Sequence, residues 1–316
     1  MTDANVVLGH LPPRLLGGEM ELDVDAARAS VQTIADAMGL GSVEEAAEGI
    51  LAIVNENMAG ALRLVSVQRG HDPREFALVA YGGAGPLHAN AVAEIMGSFP
   101  VLVPPAPGLL CAIGDLVADF RDEFAQTYIR VLGDADAAEV GTILDGLGER
   151  AREWLTGEGI DEDARSITYT ADMRYHRQGY EIPVTIDPDE ARGGLDGLEG
   201  RFNALHEQLY GFRMPGTACE IVNLRAIGSG AVPKPELPVG EAGDADASGA
   251  VAEEHEIAFK GERLATKIYD RAKLAPGNRF DGPAIVTEFD STTVVLPGYA
   301  AEVDVNFNIL INPRGE

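Results

Sequence analysis

Two successive strand–glycine–helix units between positions 76 and 119 constrain the fold of this chain more than any other feature. The apolar run FALVAY (76–81) predicts a strand, which is followed by GGAGP (82–86) and then by an apolar helix. A second predicted strand (101–105) leads through a glycine-containing turn into another helix (107–119). Strands that alternate with helices are typical of an α/β layer. We therefore expect an α/β layer with a mostly parallel sheet here.

The glycine turn at 82–86 has the form of an anion-binding site. Backbone N–H groups at a helix N-terminus point outward, and glycine has no Cβ that would keep a phosphate away. Two familiar phosphate motifs are nevertheless excluded. The chain has no lysine before Lys234, which excludes a P-loop, and the third glycine of G-x-G-x-x-G is missing. The residues alone leave open whether the turn binds a nucleotide or only allows close packing.

The charge of the chain limits its partners. The 316 residues carry 51 acidic and 24 basic side chains, a formal charge of −27, and a surface of this charge repels nucleic acid and anionic membranes. The acidity fits either adaptation to high salt, which screens self-repulsion, or the codon bias of a GC-rich genome. No apolar run looks long enough to cross a bilayer, and the N-terminus lacks a signal-peptide pattern. We therefore expect a cytoplasmic protein.

The order of predicted elements indicates two domains. Residues 1–24 predict an extended segment broken by Gly and Pro, and two helices follow, the second beginning at the capping box Ser42–Glu45. After the α/β layer come a helix with an acidic face, paired strands, another helix and many short β-type runs. The small and acidic residues of 240–254 predict an exposed, mobile loop. We divide the chain into residues 1–125 and a strand-rich α+β domain, residues 126–316.

Several polar residues are candidates for a functional site, and each has a structural alternative. His88, close to the start of a predicted helix, is a candidate ligand or proton carrier, or else a hydrogen-bonded structural residue. Asp3 and Asn5 together suit a Mg²⁺ shell or a phosphate, or else an ordinary cap or turn. The RYHRQ cluster (174–178) suits an anionic substrate, or else surface ion pairs.

Patterns for covalent and zinc catalysis are missing from the sequence. It contains no G-x-S-x-G, no H-E-x-x-H and no CxxC pair. Its two cysteines, Cys111 and Cys219, lie far apart and have no metal-ligand neighbours. This pattern favours two buried thiols over a disulfide or a zinc site.

Seven segments, taken together, resemble one known family. They are TDANVVLGHL (2–11), the stretch 54–97 that contains GGAGPLHA, VLVPPAPGLLCAIGDLVADFRDEF (101–124), DMRYHRQGYEIPV (172–184), LHEQLYGFRMP (205–215), VNLRA (222–226) and IYDRAKLAPGNRFDGPAIVTEFDSTTVVLPG (268–298). They resemble the C-terminal half of the hydantoinase A / 5-oxoprolinase family, which also contains the ATP-handling subunits of acetone and acetophenone carboxylases. The resemblance covers nearly the whole chain.

The resemblance implies a fold and a nucleotide site. It implies part of an actin-like ATPase domain, in which two RNase H-like halves close on ATP, followed by the α+β domain. Gly82, Gly83, Ala84 and Gly85 would then form the nucleotide-binding turn of the second half. Asn5 would lie with Asp3 near the metal and phosphates, and Asp3 and His88 would be candidates for a catalytic role.

The resemblance also implies a chemistry and its partners. ATP, with Mg²⁺ or another divalent cation, would phosphorylate a carbonyl oxygen, so that water opens a cyclic imide or lactam. The carboxylases of the family use the same activation to build β-keto acids from ketones. An N-terminal hydantoinase A half and a hydantoinase B-type subunit would complete the enzyme, and the substrate would be a small cyclic amide or ketone.

One departure from the family pattern affects the expected activity. Family members carry an Asp-Gly-Gly-Thr phosphate loop and a second Asp-Gly loop ahead of the TDAN segment, and these residues contain neither. Carboxylates of such loops hold Mg²⁺ and orient the attacking group. We therefore expect the chain alone to bind ATP weakly and to be inactive. The alternatives are a carboxylase subunit and an inactive remnant or assembly piece.

Overall fold

The computed structural model describes residues 1–315, which form two compact units. The first unit comprises Met1–Leu116 and the described residues from Glu236 onward, and the second comprises Val117–Pro235. The predicted domain boundary at 125/126 therefore lies close to Val117, where the chain passes from the first unit into the second. The prediction differs at the C-terminal end, because residues 236–316 belong to the first unit. The reason is that one strand of this last segment, Ile309–Pro313, hydrogen-bonds to the strand Val101–Val103.

Three helices open the first unit, and side-chain caps mark the starts of two of them. They are α1 (Thr2–Leu8), α2 (Val24–Met38) and α3 (Val43–Val65). Asp23 accepts a hydrogen bond from Ala26 N (2.9 Å), and Ser42 accepts one from Glu45 N (3.0 Å), as expected at helix N-termini. The predicted capping residue of α3 is thus confirmed.

The prediction of an extended segment over residues 1–24 is wrong. Thr2–Leu8 is helical and buries Ala4, Val6 and Leu8, and a small antiparallel pair follows, β1 (Arg14–Leu15) with β2 (Met20–Glu21). Two helical turns are too short for a periodic pattern to stand out in a sequence, and their stability comes from packing against other elements. Here α1 packs against α2 and α3.

A five-stranded sheet forms the main layer of the first unit. Its strands, in spatial order, are β11 (Arg279–Asp281), β14 (Tyr299–Val303), β15 (Ile309–Pro313), β4 (Val101–Val103) and β3 (Leu78–Val79). Only β3 and β4 are parallel, so the expectation of a mostly parallel sheet is wrong. The last segment of the chain adds its strands as antiparallel neighbours, which short turns can connect.

Helices α4 (Gly85–Met96) and α5 (Leu110–Val117) follow β3 and β4 respectively, as the strand–glycine–helix pattern predicts. The strand predicted at 76–81 is reduced to Leu78–Val79. The interior of this layer is apolar and includes Val101 and Val103 on β4 and Ile309 and Ile311 on β15, all fully buried.

A second sheet of the first unit is also built by the C-terminal segment. Its strands are β13 (Thr292–Val295), β12 (Ala284–Thr287), β10 (Glu262–Asp270) and β9 (Val251–Phe259), in that order. The predicted loop at 240–254 overlaps this sheet, because Val251 begins β9 and Ser248–Ala250 forms a 3₁₀ turn. A loop assignment therefore applies only to the residues before Ser248.

The second unit is an antiparallel sheet with three helices. The strands are β5 (Phe120–Val131), β8 (Cys219–Gly230), β6 (Arg165–Tyr175) and β7 (Ile182–Thr185), and the helices are α6 (Ala137–Gly157), α7 (Pro188–Gly193) and α8 (Asp196–Tyr210). The apolar stripe predicted for α6 is confirmed, since Val140, Leu144, Leu147 and Ala151 are buried. Strand β5 was not predicted, because most of its residues are exposed and show no alternation.

Ion pairs hold the polar side of this sheet. Arg174 donates to Glu220 (2.5 Å) and Glu181 (3.3 Å), and His176 also contacts Glu220 (2.9 Å). Arg225 contacts Asp172 (2.6 Å) and Glu123. Of the two interpretations of the 174–178 cluster, the structure therefore supports ion pairing for Arg174.

The prediction of two buried thiols is only half right. Cys219 is buried, and burial raises the pKa of its thiol to about 11. Cys111 is exposed on α5. Both cysteines are free, as expected. Cys111 is exposed because α5 buries none of its residues, and even the apolar Leu116 of this helix is exposed.

One helix meets a simple criterion for membrane spanning. By length and apolar composition alone, the stretch Val43–Arg69 is long enough to cross a bilayer, unlike the expectation drawn from the sequence. Length and apolar composition are weak evidence by themselves, because the core helices of soluble proteins share them. The stretch here contains Glu44, Glu45 and Glu48, and α3 contacts α1, α2 and α4.

Candidate functional site

The predicted glycine turn joins β3 to the N-terminus of α4. Gly82 has a φ of +83°, a conformation that glycine adopts without a steric penalty. Its N–H donates to the Pro107 carbonyl (2.7 Å), which fixes the turn against the loop before α5. Gly85 is the first helical residue, and Pro86 follows in the first turn, where a missing N–H costs little. The turn thus leaves the amides of a helix start without intrahelical acceptors.

Three loops meet at this turn, and we call them the three-loop junction: residues 82–85, 106–108 and 288–291. Ser291 Oγ donates to the Gly83 carbonyl (3.2 Å). A Cβ on Gly83 would lie 3.4 Å from the Asp290 carbonyl oxygen, and one on Gly108 would lie 2.7 Å from the same oxygen. Position 108 therefore requires glycine, because the backbone of Asp290 lies too close for a side chain there.

Charged groups at the three-loop junction are buried without full pairing. Within residues 1–315, Glu288 Oε1, Asp290 Oδ2 and the nearby Arg271 Nη1 are buried and have no hydrogen-bond partner. The other terminal nitrogen of Arg271 donates to the Phe307 carbonyl (2.7 Å). Burial raises the pKa of Glu288 to about 7, although the charge of Arg271 lowers it. Such groups are costly unless a further partner or a proton satisfies them.

The sequence analysis missed Arg271, Glu288 and Asp290 as candidate site residues. A signal was present: EFDS (288–291) stands between the apolar strands AIVT and TTVV, so its two carboxylates had to lie at one end of a hairpin. Nothing in the sequence indicated that this hairpin end contacts the glycine turn. That contact comes from the long-range pairing of the C-terminal strands.

Asp3 and Asn5 both lie on α1. Asn5 is buried; its Nδ2 contacts the Met1 carbonyl (3.3 Å), and its Oδ1 has no partner in the described part of the chain. Asp3 is partly exposed in the first turn. The main contacts of α1 are with α2, α3 and β9, and Val6 shares an apolar cluster with Leu87 of α4. A role for these two residues beside the metal and phosphates therefore stays a prediction.

His88 lies in the first turns of α4 and is 2% exposed. Its Nδ1 lies 2.9 Å from Asn55 Oδ1, and its Nε2 is buried with no partner among residues 1–315. Burial lowers the pKa of His88, which favours the neutral ring. If His88 is only a structural residue, then just one of its two ring nitrogens has a hydrogen-bond partner.

His88 also lines a cavity of about 680 Å³ in the first unit, on the side of α4 that faces α3 and β9. His10 lines it as well, stacked on Phe259 with ring centroids 4.6 Å apart and hydrogen-bonded to the Ala258 carbonyl (2.8 Å). Burial lowers the pKa of His10 to about 4, and a proton on His88 would act in the same direction. No sequence pattern indicated this cavity.

Two models of a single family together match residues 1–311. The Hydantoinase/oxoprolinase model matches residues 1–124, and the Hydantoinase/oxoprolinase C-terminal domain matches residues 118–311. An uncharacterized protein of Methanocaldococcus jannaschii is 37% identical over 304 residues, which cover 96% of this chain and 43% of that protein.

Two proteins of known activity are also similar. The caprolactamase subunit alpha of Pseudomonas jessenii is 32% identical, covering 99% of this chain and 46% of that subunit. The crystal structure of the ATP-dependent caprolactamase from this organism matches with a TM-score of 0.82 at 30% identity. A nucleotide-free structure of acetone carboxylase matches with a TM-score of 0.74 at 25% identity, again over 99% of this chain and 46% of that chain. The chain thus spans less than half the length of these relatives.

Proposed function

The chain belongs to the hydantoinase/oxoprolinase family, and on that premise we propose that it supplies the ATP-binding turn of an enzyme that opens cyclic amides. The observation that carries the proposal is the turn Gly82–Gly85 at the start of α4. The resemblance to an ATP-dependent caprolactamase supports both the use of ATP and the cleavage of a cyclic amide bond. The first unit would be part of an actin-like ATPase domain.

The glycine turn has the chemistry that a phosphate needs. The first N–H groups of α4 and the glycine backbone offer donors without a Cβ in the way. Ser291 fixes the Gly83 carbonyl, and Pro107 fixes the Gly82 N–H, so the turn is held before any ligand arrives. Bound ATP would supply the phosphoryl group that activates the carbonyl oxygen of the substrate.

A divalent cation would need ligands beyond this chain. Among the described residues, no group of three or more His, Cys, Asp and Glu side chains could hold a metal. Phosphate oxygens commonly supply several ligands to Mg²⁺, with one or two carboxylates from the protein. Asp3 and Asn5 remain our proposed contributors, and Asp3 and His88 our proposed residues at the reacting groups.

The proposed enzyme includes other polypeptides. The chain spans 46% of caprolactamase subunit alpha, whose name itself indicates an assembly. We propose an N-terminal hydantoinase A half, which would carry the phosphate loops, and a hydantoinase B-type subunit as partners. The complex would reside in the cytoplasm.

A second function is a role in an acetone- or acetophenone-type carboxylase. The structural match to acetone carboxylase favours it, because this match covers 99% of the chain. Both functions share the activation of a carbonyl oxygen by ATP and differ in the substrate and in the group that attacks it. An inactive remnant is the third possibility, and the experiment below also tests it.

The test of nucleotide binding uses two glycine variants. The dissociation constant of a non-hydrolysable ATP analogue is measured by calorimetry for the chain and for the complex recovered with it from native cells. In Gly85→Val the new side chain fills space at the helix start with only ordinary contact, since a Cβ there would lie 3.9 Å from its nearest neighbour, the Ala80 carbonyl carbon. We expect binding at least about tenfold weaker.

Gly60→Val, on the open face of α3, is the matched control and should bind as the parent does. Equal binding by Gly85→Val and the parent would show that the turn is not the nucleotide site. The recovered complex is then incubated with ATP and either a lactam or a ketone. Ring opening supports the amide-cleaving function, carboxylation supports the second function, and neither reaction supports the remnant.

A further inference from the structure

We propose that the free edge of β3 is the docking surface of the N-terminal hydantoinase A half, which adds a strand beside it. The surface includes the run 76–81 and a stripe of α3, and we call it the β3 groove; the stripe consists of Met58, Ala61, Leu62 and Val65. This inference rests on the proposed function, because the partner comes from that proposal. It assigns the place at which the partner binds.

The backbone of β3 is free on one side. In the described part of the chain, β3 is the last strand of the five-stranded sheet and pairs with β4 alone. On either side of Val79, the N–H groups of Leu78 and Ala80 donate to carbonyl oxygens in or next to β4, at 3.0 and 2.8 Å. Alternate residues of a strand face the same neighbour, so the N–H and C=O of Val79 point away from β4. These groups can pair with a further strand, as in β-augmentation.

The sequence of β3 is typical of an interior strand. Charged residues or proline usually protect an open edge, and FALVAY (76–81) contains neither. Phe76 is 50% exposed and Val79 47%. The apolar run predicts six strand residues, yet only Leu78–Val79 forms a strand with β4 as its one neighbour. A second neighbour would pair residues on both sides of Val79 and lengthen the strand toward its predicted extent.

The stripe on α3 is left partly uncovered beside this edge. Its four residues have the i, i+3, i+4, i+7 spacing of a helix face that packs against a core. Val65 is nevertheless 55% exposed and Met58 36%. The stripe lines two neighbouring cavities, of about 290 and 130 Å³, which share Leu62 and Leu78 and are lined by no charged residue of the described chain.

One added strand would satisfy both features. Ala59 and Leu62 of α3 share an apolar cluster with Leu78, so α3 lies on the face of the sheet to which Leu78 points. A strand beside β3 would lie under the stripe, pair its backbone with Val79 and place apolar side chains in the two cavities. Alternate side chains of a strand point to one face, so every second residue of the added strand should be apolar.

The N-terminal half is the occupant that these features favour. The chain spans 46% of caprolactamase subunit alpha, so more than half of that relative has no counterpart here. Because β3 leads directly into Gly82, a strand beside it lies next to the proposed nucleotide turn, where the phosphate loops of that half would be needed. A second copy of this chain is disfavoured, since each copy carries a formal charge of −27 and the two repel each other.

The first test compares two alanine variants of α3. Tagged chains are purified from native cells, and the polypeptide that carries the Asp-Gly-Gly-Thr loops is quantified by mass spectrometry. Ala61→Glu replaces an exposed residue and would bury an unpaired carboxylate under the partner, so we expect recovery at least about tenfold lower than with the parent. Ala52→Glu is the matched control. This exposed residue lies about two and a half turns away, on the opposite side of α3, and should not affect recovery.

A second test needs no variant and so does not depend on folding of Ala61→Glu. Amide hydrogen exchange is measured for the chain alone and for the recovered complex. The Val79 N–H should exchange at least about tenfold more slowly in the complex, because it gains a hydrogen bond. The Ala80 N–H, already bonded to the Leu102 carbonyl (2.8 Å), should be slow in both.

Several results would overturn the inference. They are equal recovery by Ala61→Glu and the parent, unchanged exchange at Val79, and absence of the polypeptide from the parent preparation. A homodimer, or binding to phosphatidylcholine vesicles, that Ala61→Glu abolishes would assign the β3 groove to a second copy or to a membrane instead. Normal binding of the ATP analogue alongside any of these results would leave the proposed nucleotide site intact. Protection of Val79 in a complex that does not bind the analogue would overturn only that site.

Discussion

In the second unit buried carboxylates are hydrogen-bonded to cations, whereas at the three-loop junction of the first unit two buried carboxylate oxygens have no hydrogen-bond partner. Glu220, with a side chain 6% exposed, contacts Arg174 and His176, and Asp172 contacts Arg225. At the three-loop junction Glu288 Oε1 and Asp290 Oδ2 have no such partner in the part of the chain that the structure describes. Seven of the nine unpartnered buried side-chain atoms among those residues lie in the first unit. Complete pairing is typical of a structural role, and incomplete pairing of a site that receives a ligand.

The largest expected effect is the loss of a paired carboxylate in the second unit. Glu220→Ala leaves Arg174 and His176 without their shared acceptor and should lower the free energy of unfolding by about 2–4 kcal/mol. Denaturant unfolding measures this loss. Glu207→Ala is the control, because its contact with Arg213 (3.8 Å) is exposed and should contribute less than about 1 kcal/mol. Equal losses for both variants would mean that the buried pairing does not stabilise the second unit.

An intermediate effect is expected from a methyl group at the three-loop junction. Gly108→Ala would place a Cβ 2.7 Å from both the carbonyl and Oδ2 atoms of Asp290, and should cost about 1–3 kcal/mol of unfolding free energy. Gly114→Ala, in open space on α5, should instead stabilise by about 0.5–1 kcal/mol. Thermal unfolding of the two variants measures the difference. An unchanged melting temperature in Gly108→Ala would show that the loops separate easily.

The smallest effect concerns the pH dependence of stability. The pKa of Glu288 is raised from 4.5 to about 7 in the folded chain, so its contribution is fully present below pH 4.5 and is lost as the pH rises through 7. Glu288→Gln removes this loss and should be more stable than the parent at pH 8 by about 1–2 kcal/mol, allowing for solvent screening. Melting temperatures between pH 5 and 8 test this, with Glu262→Gln on an exposed part of β10 as control. Parallel curves for parent and Glu288→Gln would contradict the raised pKa.

Local features of the fold could be predicted from the sequence, and long-range pairing could not. The cap at Ser42, the stripe on α6 and the turn before α4 depend on neighbouring residues, and the structure has all three. The antiparallel addition of β15 to β4 depends on residues some two hundred positions apart, and no local pattern encodes it. The sheet direction was missed for this reason.

In the candidate site, too, the local features could be predicted from the sequence and the long-range contacts could not. The glycines could be identified because conformation and spacing are visible in the chain itself. His88 was noticed, but its partner Asn55 and its cavity depend on the packing of α4 against α3. Arg271, Glu288 and Asp290 were quoted within a family motif without a role, since their burial comes from three loops that are distant in sequence.

The return of residues 236–316 to the first unit sets the order in which the protein is assembled during synthesis. Val103 pairs with Ile309, so the main sheet cannot close until residue 309 has left the ribosome. The second unit has no such delay, because Phe120 at its start pairs with Gly230 near its end, and all of its strands lie between them. Domains fold as units during translation. The second unit is therefore complete first. The glycine turn gains its contacts with Asp290 and Ser291 only after those residues have been synthesised.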